Sequence, residues 1–107
     1  MIEIDVSKGI DVAGFHYSVD GSKLAHEDCV GDQKFGTCST SYQIIKIDNE
    51  SGFSAERISE TFVHEMIEAV KQHYDRSLSH ETLEKISEGI HQALKSLGIV
   101  FVINKSE

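Results

Sequence analysis

Residues 54–74 read SAERISETFVHEMIEAVKQHY, and this stretch has the pattern of a long amphipathic helix. Ser54 is a typical N-cap residue, and Glu56 stands in the first turn, where a carboxylate interacts favourably with the helix dipole. The spacing predicts a helix from about residue 55 to about residue 74. Its apolar residues are Ile58, Phe62, Val63, Met66, Ile67, Ala69, Val70 and Tyr74. They cover about half of the helix circumference, so we expect burial on two sides.

A second helix is predicted from about residue 80 to about residue 97. Ser79 can cap its start, and Lys95 stands in the last turn, where a positive charge complements the dipole. Its predicted buried seam consists of Leu83, Ile86, Ile90, Leu94 and Leu97. Gly98 is a typical residue for ending a helix. The apolar run IVFVI at residues 99–103 predicts a closing strand or a tail docked on the core.

The first half of the chain has the pattern of strands and loops. Residues 10–24 alternate apolar and polar side chains and then reach Asp20-Gly21, a dipeptide typical of a hairpin turn. Residues 25–40 are polar and contain glycines, which predicts a loop with at most one short strand. Residues 41–48, SYQIIKID, are rich in β-branched side chains and predict a further strand.

These elements predict the α+β class, with a small antiparallel sheet packed on two helices. The sheet would consist of the hairpin and the strand at about 41–48. We expect residues 1–107 to form one domain, because either half alone would bury too little apolar surface to fold. Two cysteines without a secretion signal are expected to remain thiols, and these are Cys29 and Cys38.

Composition and charge restrict the classes of partner. Hydrophobic residues make up 39% of the chain and charged residues 26%, as in ordinary globular proteins. Eighteen acidic against ten basic side chains give a formal charge of −8, which disfavours nucleic acid and suits divalent cations or basic partners. There is no N-terminal apolar segment, and no apolar run is long enough to span a bilayer. The sequence therefore predicts a cytoplasmic protein that binds neither nucleic acid nor membrane.

The first helix contains His64-Glu65-x-x-Glu68, the HExxH pattern of zinc-binding helices with glutamate in place of the second histidine. Residues four apart lie on one helix face, so His64 and Glu68 could share one ion. Glu65 lies about 100° further round, where it could reach a water on that ion as a general base. A catalytic zinc site needs a third protein ligand. His80 is the best candidate, because a short turn at residues 75–79 would fold the second helix back beside the first.

The same residues also fit an interpretation without metal. His64 and Glu68 lie outside the apolar arc, beside polar residues such as Lys71, as on a solvated helix face. A match to four letters is also common by chance. The histidines without a partner at ligand spacing are His16, His26, His73 and His91. They are interpreted as surface or half-buried side chains, and His73 would assist catalysis only if it turned towards the site.

Several short motifs follow one another in the order found in a known group of proteins. They are Gly14-x-x-Tyr17, Gly36-Thr37-Cys38, Ile44-Ile45-x-Ile47-Asp48, Thr61-Phe62-Val63-His64-Glu65 and Leu78-Ser79-His80. From about Val12 to about Leu97 the chain resembles short zincin-like proteins of phages and bacterial genomes, related in fold to the minimal metallopeptidase domain of the anti-repressor-cleaving type. Members carry HExxH or HExxE, and in the second case a histidine follows the leucine before the next helix. The resemblance implies zinc ligands at His64, Glu68 and His80, with Glu65 as the general base.

Three hypotheses of function follow. In the first, the protein is a zinc-dependent metallopeptidase-like hydrolase acting on a peptide or protein, which the strand at 41–48 aligns by edge pairing. In the second, it is a non-catalytic zincin-fold acidic protein that binds a basic host or phage partner. In the third, no metal binds and the helix pair is structural. Iron or manganese would also accept the ligand set of the first hypothesis.

Overall fold

The computed structural model describes residues 1–104, which form an α+β fold as predicted. Its strands are β1 (Ile2–Asp5), β2 (Ile10–Val12), β3 (Phe15–Asp20), β4 (Gly36–Ser39), β5 (Ile44–Ile47) and β6 (Ile99–Val102). Its helices are α1 (Lys23–Gly31), α2 (Ala55–Tyr74) and α3 (His80–Ser96). Residues 105–107 of the predicted domain lie outside the described part of the chain. None of the helices described is long and apolar enough to cross a membrane.

Four strands form one mixed sheet in the order β2-β3-β5-β4. The β2–β3 and β4–β5 pairs are antiparallel, whereas β3 and β5 run parallel. The prediction of a purely antiparallel sheet was therefore wrong. Parallel neighbours need a crossover connection, and here α1 and β4 lie between β3 and β5 in the chain. The predicted closing strand β6 is confirmed, and it pairs in parallel with β1 in a separate two-stranded sheet.

The predicted loop at residues 25–40 is largely helix α1 and strand β4. Ser22 caps α1, because its hydroxyl accepts a hydrogen bond from the backbone N–H of Ala25 at 3.3 Å. Only Ala25 and Cys29 of α1 are buried, so its apolar stripe is one residue wide. So narrow a stripe leaves almost no helical periodicity in the sequence, which explains why the helix was missed.

The predicted hairpin is present as β2 and β3, but its turn lies elsewhere. The chain reverses at Ala13 and Gly14, whose φ angles of 54° and 83° are the positive values that a type I′ turn requires. The predicted turn at Asp20-Gly21 instead leads into α1, where the Asp20 carboxylate accepts from the N–H of Ser22 at 2.9 Å. The prediction of the hairpin is therefore confirmed and that of its turn was wrong.

Helix α2 has the predicted bounds, and the hydroxyl of its N-cap Ser54 accepts from the N–H of Arg57 at 3.1 Å. One side of α2 packs on the strands and the other on α3, as the wide apolar arc predicted. Its last apolar residue, Tyr74, is exposed, contrary to the prediction. The main core cluster consists of Val6, Val12, Tyr17, Val19, Ile45, Ile47, Phe62 and Ala69. The strand predicted within residues 41–48 is confirmed as β5, and its Ile45 and Ile47 are buried.

Helix α3 buries only part of the predicted seam: Leu83 is buried as predicted and Ile90 and Leu94 are half-buried, but the fully buried row is a different one. Leu83, Ser87 and His91 are buried, whereas Ile86 and Leu97 are exposed. The buried row repeats every four residues and includes two polar side chains, so an apolar search could not find it. His91 was predicted to be at the surface or half-buried, but it is buried with its Nδ1 3.7 Å from Glu60. Gly98 ends the helix with a φ of 78°, as predicted.

Asp48 closes β5 with a set of four hydrogen bonds. Its carboxylate, 3% exposed, accepts from the N–H groups of Glu50 (3.1 Å) and Ser51 (3.2 Å), the Ser51 hydroxyl (2.6 Å) and His26 Nδ1 (2.8 Å). Burial raises the pKa of Asp48, but the bonds from Ser51 and His26 outweigh it, so the pKa lies below its usual value. The ionised form therefore stabilises the turn that leads towards α2.

We predict that Asp48→Asn lowers the free energy of unfolding by about 1.5–3 kcal/mol near neutral pH. The asparagine side chain has one acceptor oxygen, whereas the donors around Asp48 use both oxygens of its carboxylate. Because the folded pKa lies below the unfolded value, this stability is present above about pH 4 and is lost as the pH falls through the folded pKa. Urea denaturation at about pH 7 and about pH 2 measures it. The exposed Asp32→Asn is the control, and a pH-independent Asp48 effect would contradict the prediction.

Candidate metal centre

A cleft of about 640 Å³ is lined by β4, α2 and α3. All four residues predicted to form the site line this cleft: His64, Glu65, Glu68 and His80. The first three lie on α2, and His80 is the first residue of α3. The fold therefore brings the four side chains to one surface depression, although up to 16 positions separate them in the chain.

The turn between α2 and α3 brings His80 beside His64. The Ser79 hydroxyl accepts from the N–H of Thr82 at 3.1 Å, which caps α3 at the point where it returns along α2. The ring centroids of His64 and His80 are 5.8 Å apart with the planes at 72°. Two imidazoles that share one tetrahedral zinc ion have centroids about 5 Å apart. The two rings are therefore close to the separation that a shared ion requires.

The three candidate ligands are hydrogen-bonded to other side chains in this structure. His80 Nε2 lies 3.0 Å from Glu84, and Glu68 accepts from the Gln72 amide at 3.0 Å. Within residues 1–104, no three His, Cys, Asp or Glu side chains form a ready ligand set. Coordination of one ion thus requires side-chain rotation, and His80 is 69% exposed, which leaves room for it. The donor types, two imidazoles and a carboxylate, are those that zinc prefers.

Glu65 is buried beneath β4 with its carboxyl group at the cleft. It is 8% exposed, and within residues 1–104 no hydrogen bond joins its carboxyl group to another residue. Burial, together with the negative charge of Glu68 and against a smaller opposing effect of Lys34, raises the pKa of Glu65 to about 7. A carboxyl group with this pKa can both accept and donate a proton near neutral pH.

His64 is held towards its neutral form. Burial lowers its pKa, and the nearby His80 lowers it further, with partial compensation from Glu68 and Glu84 among the surrounding carboxylates. The neutral imidazole is the form that binds a metal. The environment of His64 therefore favours the protonation state that a ligand needs.

Gly36 allows β4 to approach α2 closely. A Cβ atom at this position would lie 2.7 Å from Thr61 Cγ2, 3.0 Å from the carbonyl oxygen of Lys46 and 3.2 Å from Glu65 Cγ. The absence of a side chain at residue 36 thus lets the strand cover Glu65, and this close approach maintains the burial that raises its pKa.

We predict that Gly36→Ala lowers the free energy of unfolding by about 1–3 kcal/mol, because the added methyl group overpacks the contact between β4 and α2. Gly89→Ala is the matched control. Nothing lies within 4 Å of the position of its added Cβ, and Gly89 lies inside α3. That variant should gain about 0.5–1 kcal/mol from the higher helix propensity of alanine. Thermal denaturation compares the two, and an unchanged Gly36→Ala would show that the strand has room to move.

The strand at the cleft edge is β4, and the prediction that residues 41–48 supply a free edge was wrong. Strand β5 lies between β3 and β4, so both of its edges are paired. Strand β4 is the last of its sheet, and its residues 36–38 line the cleft. Among the strands of residues 1–104, β4 is therefore the one that offers an edge to an extended peptide on this side of the sheet.

The other histidines lie outside the cleft lining. His73 Nε2 lies 2.6 Å from the Tyr17 hydroxyl, and its ring stacks on Phe15 with centroids 5.0 Å apart. His26 bonds to Asp48 as described, and His16 lies 2.8 Å from Asp11. His73 thus connects α2 to β3 through these two contacts, and its ring does not turn towards the site.

Both cysteines are free thiols, as predicted. Cys38 lines the cleft, and burial together with the charges of Glu65 and Glu68 raises its pKa to about 12. Burial also raises the pKa of Cys29 to about 11, aided by the charges of Asp48 and Glu65. Both groups are therefore protonated at neutral pH and unsuited to nucleophilic attack.

Glu84 and Ser87 are among the cleft residues that were not predicted as site residues from the sequence. Glu84 stands four positions after His80, so the i,i+4 spacing carried a signal that could have been used. Ser87 had no such signal, because its contact with His64 depends on how α2 and α3 pack.

Comparisons with protein-family models, with curated proteins and with solved structures gave no match to this chain. The resemblance to zincin-like proteins therefore stays a prediction that rests on its motifs. The chemistry open to the site depends on the side chains that line the cleft.

Proposed function

We propose that the protein is a zinc-dependent metallopeptidase-like hydrolase whose ion is held by His64, Glu68 and His80. The observation that carries the proposal is that one cleft gathers these three donors together with the buried Glu65. Three protein ligands from imidazole and carboxylate groups leave a position open for water or substrate, which is typical of catalytic rather than structural zinc. Another divalent metal, such as iron or manganese, would accept the same donors.

The charge of the cleft supports binding of a cation. Besides the proposed site residues, Glu60, Glu84 and Glu88 line it, against the basic side chains of Lys34 and Arg57. The guanidinium of Arg57 lies 4.9 Å from the centroid of the Phe35 ring. Excess negative charge in a concave, partly desolvated surface attracts cations more strongly than the same charge on a flat surface.

Glu65 is the proposed general base and acid. Bound zinc would polarise the substrate carbonyl and lower the pKa of a water ligand. The Glu65 carboxylate would take a proton from the attacking water and then deliver it to the leaving amine nitrogen. The cover provided by β4 excludes bulk solvent from this carboxyl group, so the proton is not readily lost.

An extended peptide is the substrate shape that the cleft edge favours. The outer edge of β4 offers backbone groups for pairing, and the strand borders the cleft at residues 36–38. Strand addition supplies affinity through main-chain hydrogen bonds, whereas pockets for alternate side chains supply specificity. A peptide on β4 would therefore pass beside Glu65 and the proposed ligands.

Metal content tests this proposal first. Protein purified without a histidine tag should contain about one zinc per chain by elemental analysis, as a three-ligand site implies. The zinc-loaded protein should cleave members of a random peptide mixture, detected by mass spectrometry, and a chelator should stop the cleavage. Failure to bind any divalent metal would refute the proposal.

A second candidate is a non-catalytic acidic protein that engages a basic partner. The acidic lining of the cleft and the formal charge of −8 favour it. Metal binding without cleavage of any peptide, together with salt-sensitive binding of a lysine-rich peptide, would favour this function over the first.

A further inference from the structure

The Ser87 hydroxyl lies against the imidazole ring of His64. Ser87 is buried, and its Oγ lies 2.8 Å from the carbonyl oxygen of Leu83 and 3.4 Å from Nδ1 of His64. A carbonyl oxygen only accepts, so the single hydroxyl hydrogen is donated to Leu83. The remaining lone pairs of Oγ can only accept, so a hydrogen bond between Ser87 and His64 requires the proton on Nδ1 and leaves Nε2 with a free lone pair.

At His80, the contact with Glu84 favours a proton on the other ring nitrogen, Nε2. Oε1 of Glu84 lies 3.0 Å from Nε2 of His80, one turn away on α3. A carboxylate only accepts hydrogen bonds, so Nε2 carries the hydrogen and Nδ1 keeps the lone pair. The contacts from these two residues of α3 therefore favour opposite tautomers at the two histidines, which face each other across the α2–α3 contact.

We propose that Ser87 and Glu84 are positioning residues that present Nε2 of His64 and Nδ1 of His80 to a shared divalent ion. This inference rests on the proposed function, because it assigns the ligand atoms of that same site. Metal-binding histidines commonly donate their second ring N–H to an acceptor that fixes both tautomer and ring orientation. Here the two acceptors are the uncharged, buried hydroxyl of Ser87 and the exposed carboxylate of Glu84.

The tautomers can be read without any metal. Long-range ¹H–¹⁵N correlation spectra of the metal-free protein at about pH 8, above the usual pKa of histidine, distinguish the two neutral forms. We expect His64 to be protonated at Nδ1 and His80 at Nε2, and Ser87→Ala to abolish the preference at His64 alone. The reverse tautomer at either histidine of the wild type would overturn the inference for that residue.

Zinc affinity tests whether the positioning matters. Ser87→Ala should weaken zinc binding by about 10–100-fold, and Glu84→Ala by about 10-fold, measured by competition with a chromophoric chelator. Ser96→Ala is the matched control for the first, because the Ser96 hydroxyl also bonds a helix carbonyl, that of Ala93, at 2.6 Å but contacts no histidine. Glu81→Ala is the control for the second, since Glu81 pairs with Lys85 on the same helix.

The two proposals fail in different ways. Absence of zinc binding by the wild type would remove the proposed function, while the tautomer spectra would still report on Ser87 and Glu84. Zinc binding that is equal in Ser87→Ala and Ser96→Ala would leave the metal site in place and refute positioning by Ser87. Circular dichroism of each variant checks that α3 is retained, which we expect because alanine is a strong helix former.

Discussion

Replacing His80 by alanine is expected to lower zinc affinity by roughly 100-fold or more. Zinc sites with four protein ligands bind with about 10–16 kcal/mol, so one ligand contributes on the order of 3 kcal/mol. His80 lies on a different helix from the other proposed ligands and is exposed, so its removal leaves no cavity in the core. Competition with a chelator measures the affinity, and denaturation shows that the variant remains folded.

His16→Ala is a closely matched control for this effect. Like His80, His16 is an exposed histidine beside a carboxylate, with 57% of its side chain exposed and Nδ1 2.8 Å from Asp11. It lies on β3, outside the cleft lining. His16→Ala should leave zinc affinity unchanged. If His80→Ala also left it unchanged, the ion would have to be bound without the second helix.

Replacing Glu65 by glutamine is expected to reduce kcat/KM for peptide cleavage by about 10²–10⁴-fold while zinc remains bound. Glutamine has nearly the same shape but cannot accept the proton of the attacking water. In the metal-free protein the folded pKa of Glu65, about 7, lies above its unfolded value. Ionised Glu65 therefore reduces stability as the pH rises towards and through 7, and the glutamine variant should be more stable there.

The exposed Glu27→Gln on α1 is the control for this substitution, and it should alter neither cleavage nor zinc content. Cleavage by Glu65→Gln at the wild-type rate would exclude Glu65 as the proton carrier. Loss of zinc together with activity would instead assign Glu65 a role as a ligand, contrary to the proposed division of roles on α2.

Both long helices could be predicted from the sequence because their ends are marked locally. Ser54 and Ser79 each accept a hydrogen bond from the N–H three residues later, and Gly98 takes the positive φ that ends α3. These signals depend on neighbouring residues only, so they can be recognised in the sequence without knowledge of the packing. The approach of His80 to α2 followed from the same signals, since a short turn leaves the second helix few directions.

The remaining features depend on contacts between distant segments. Helix α1 buries only two side chains, Ala25 and Cys29, so its sequence shows little helical periodicity. The parallel pairing of β3 with β5 depends on the crossover connection that contains α1. Ser87 and His91 are buried although their side chains are polar. Each has a polar partner: Ser87 donates to the carbonyl oxygen of Leu83 on the same helix, and His91 lies beside Glu60 of α2. Strand β4 can lie over Glu65 because Gly36 has no side chain at the contact with α2. The sequence alone does not show that these two residues are neighbours.

The central claim is that side chains from two successive helices converge on one cation. Anomalous diffraction at the zinc edge from crystals of the zinc-loaded protein tests it most directly. We predict a single peak within about 2.0–2.2 Å of a nitrogen of His64, an oxygen of Glu68 and a nitrogen of His80. A peak elsewhere, or a peak on α2 with the imidazole of His80 beyond bonding distance, would contradict the account.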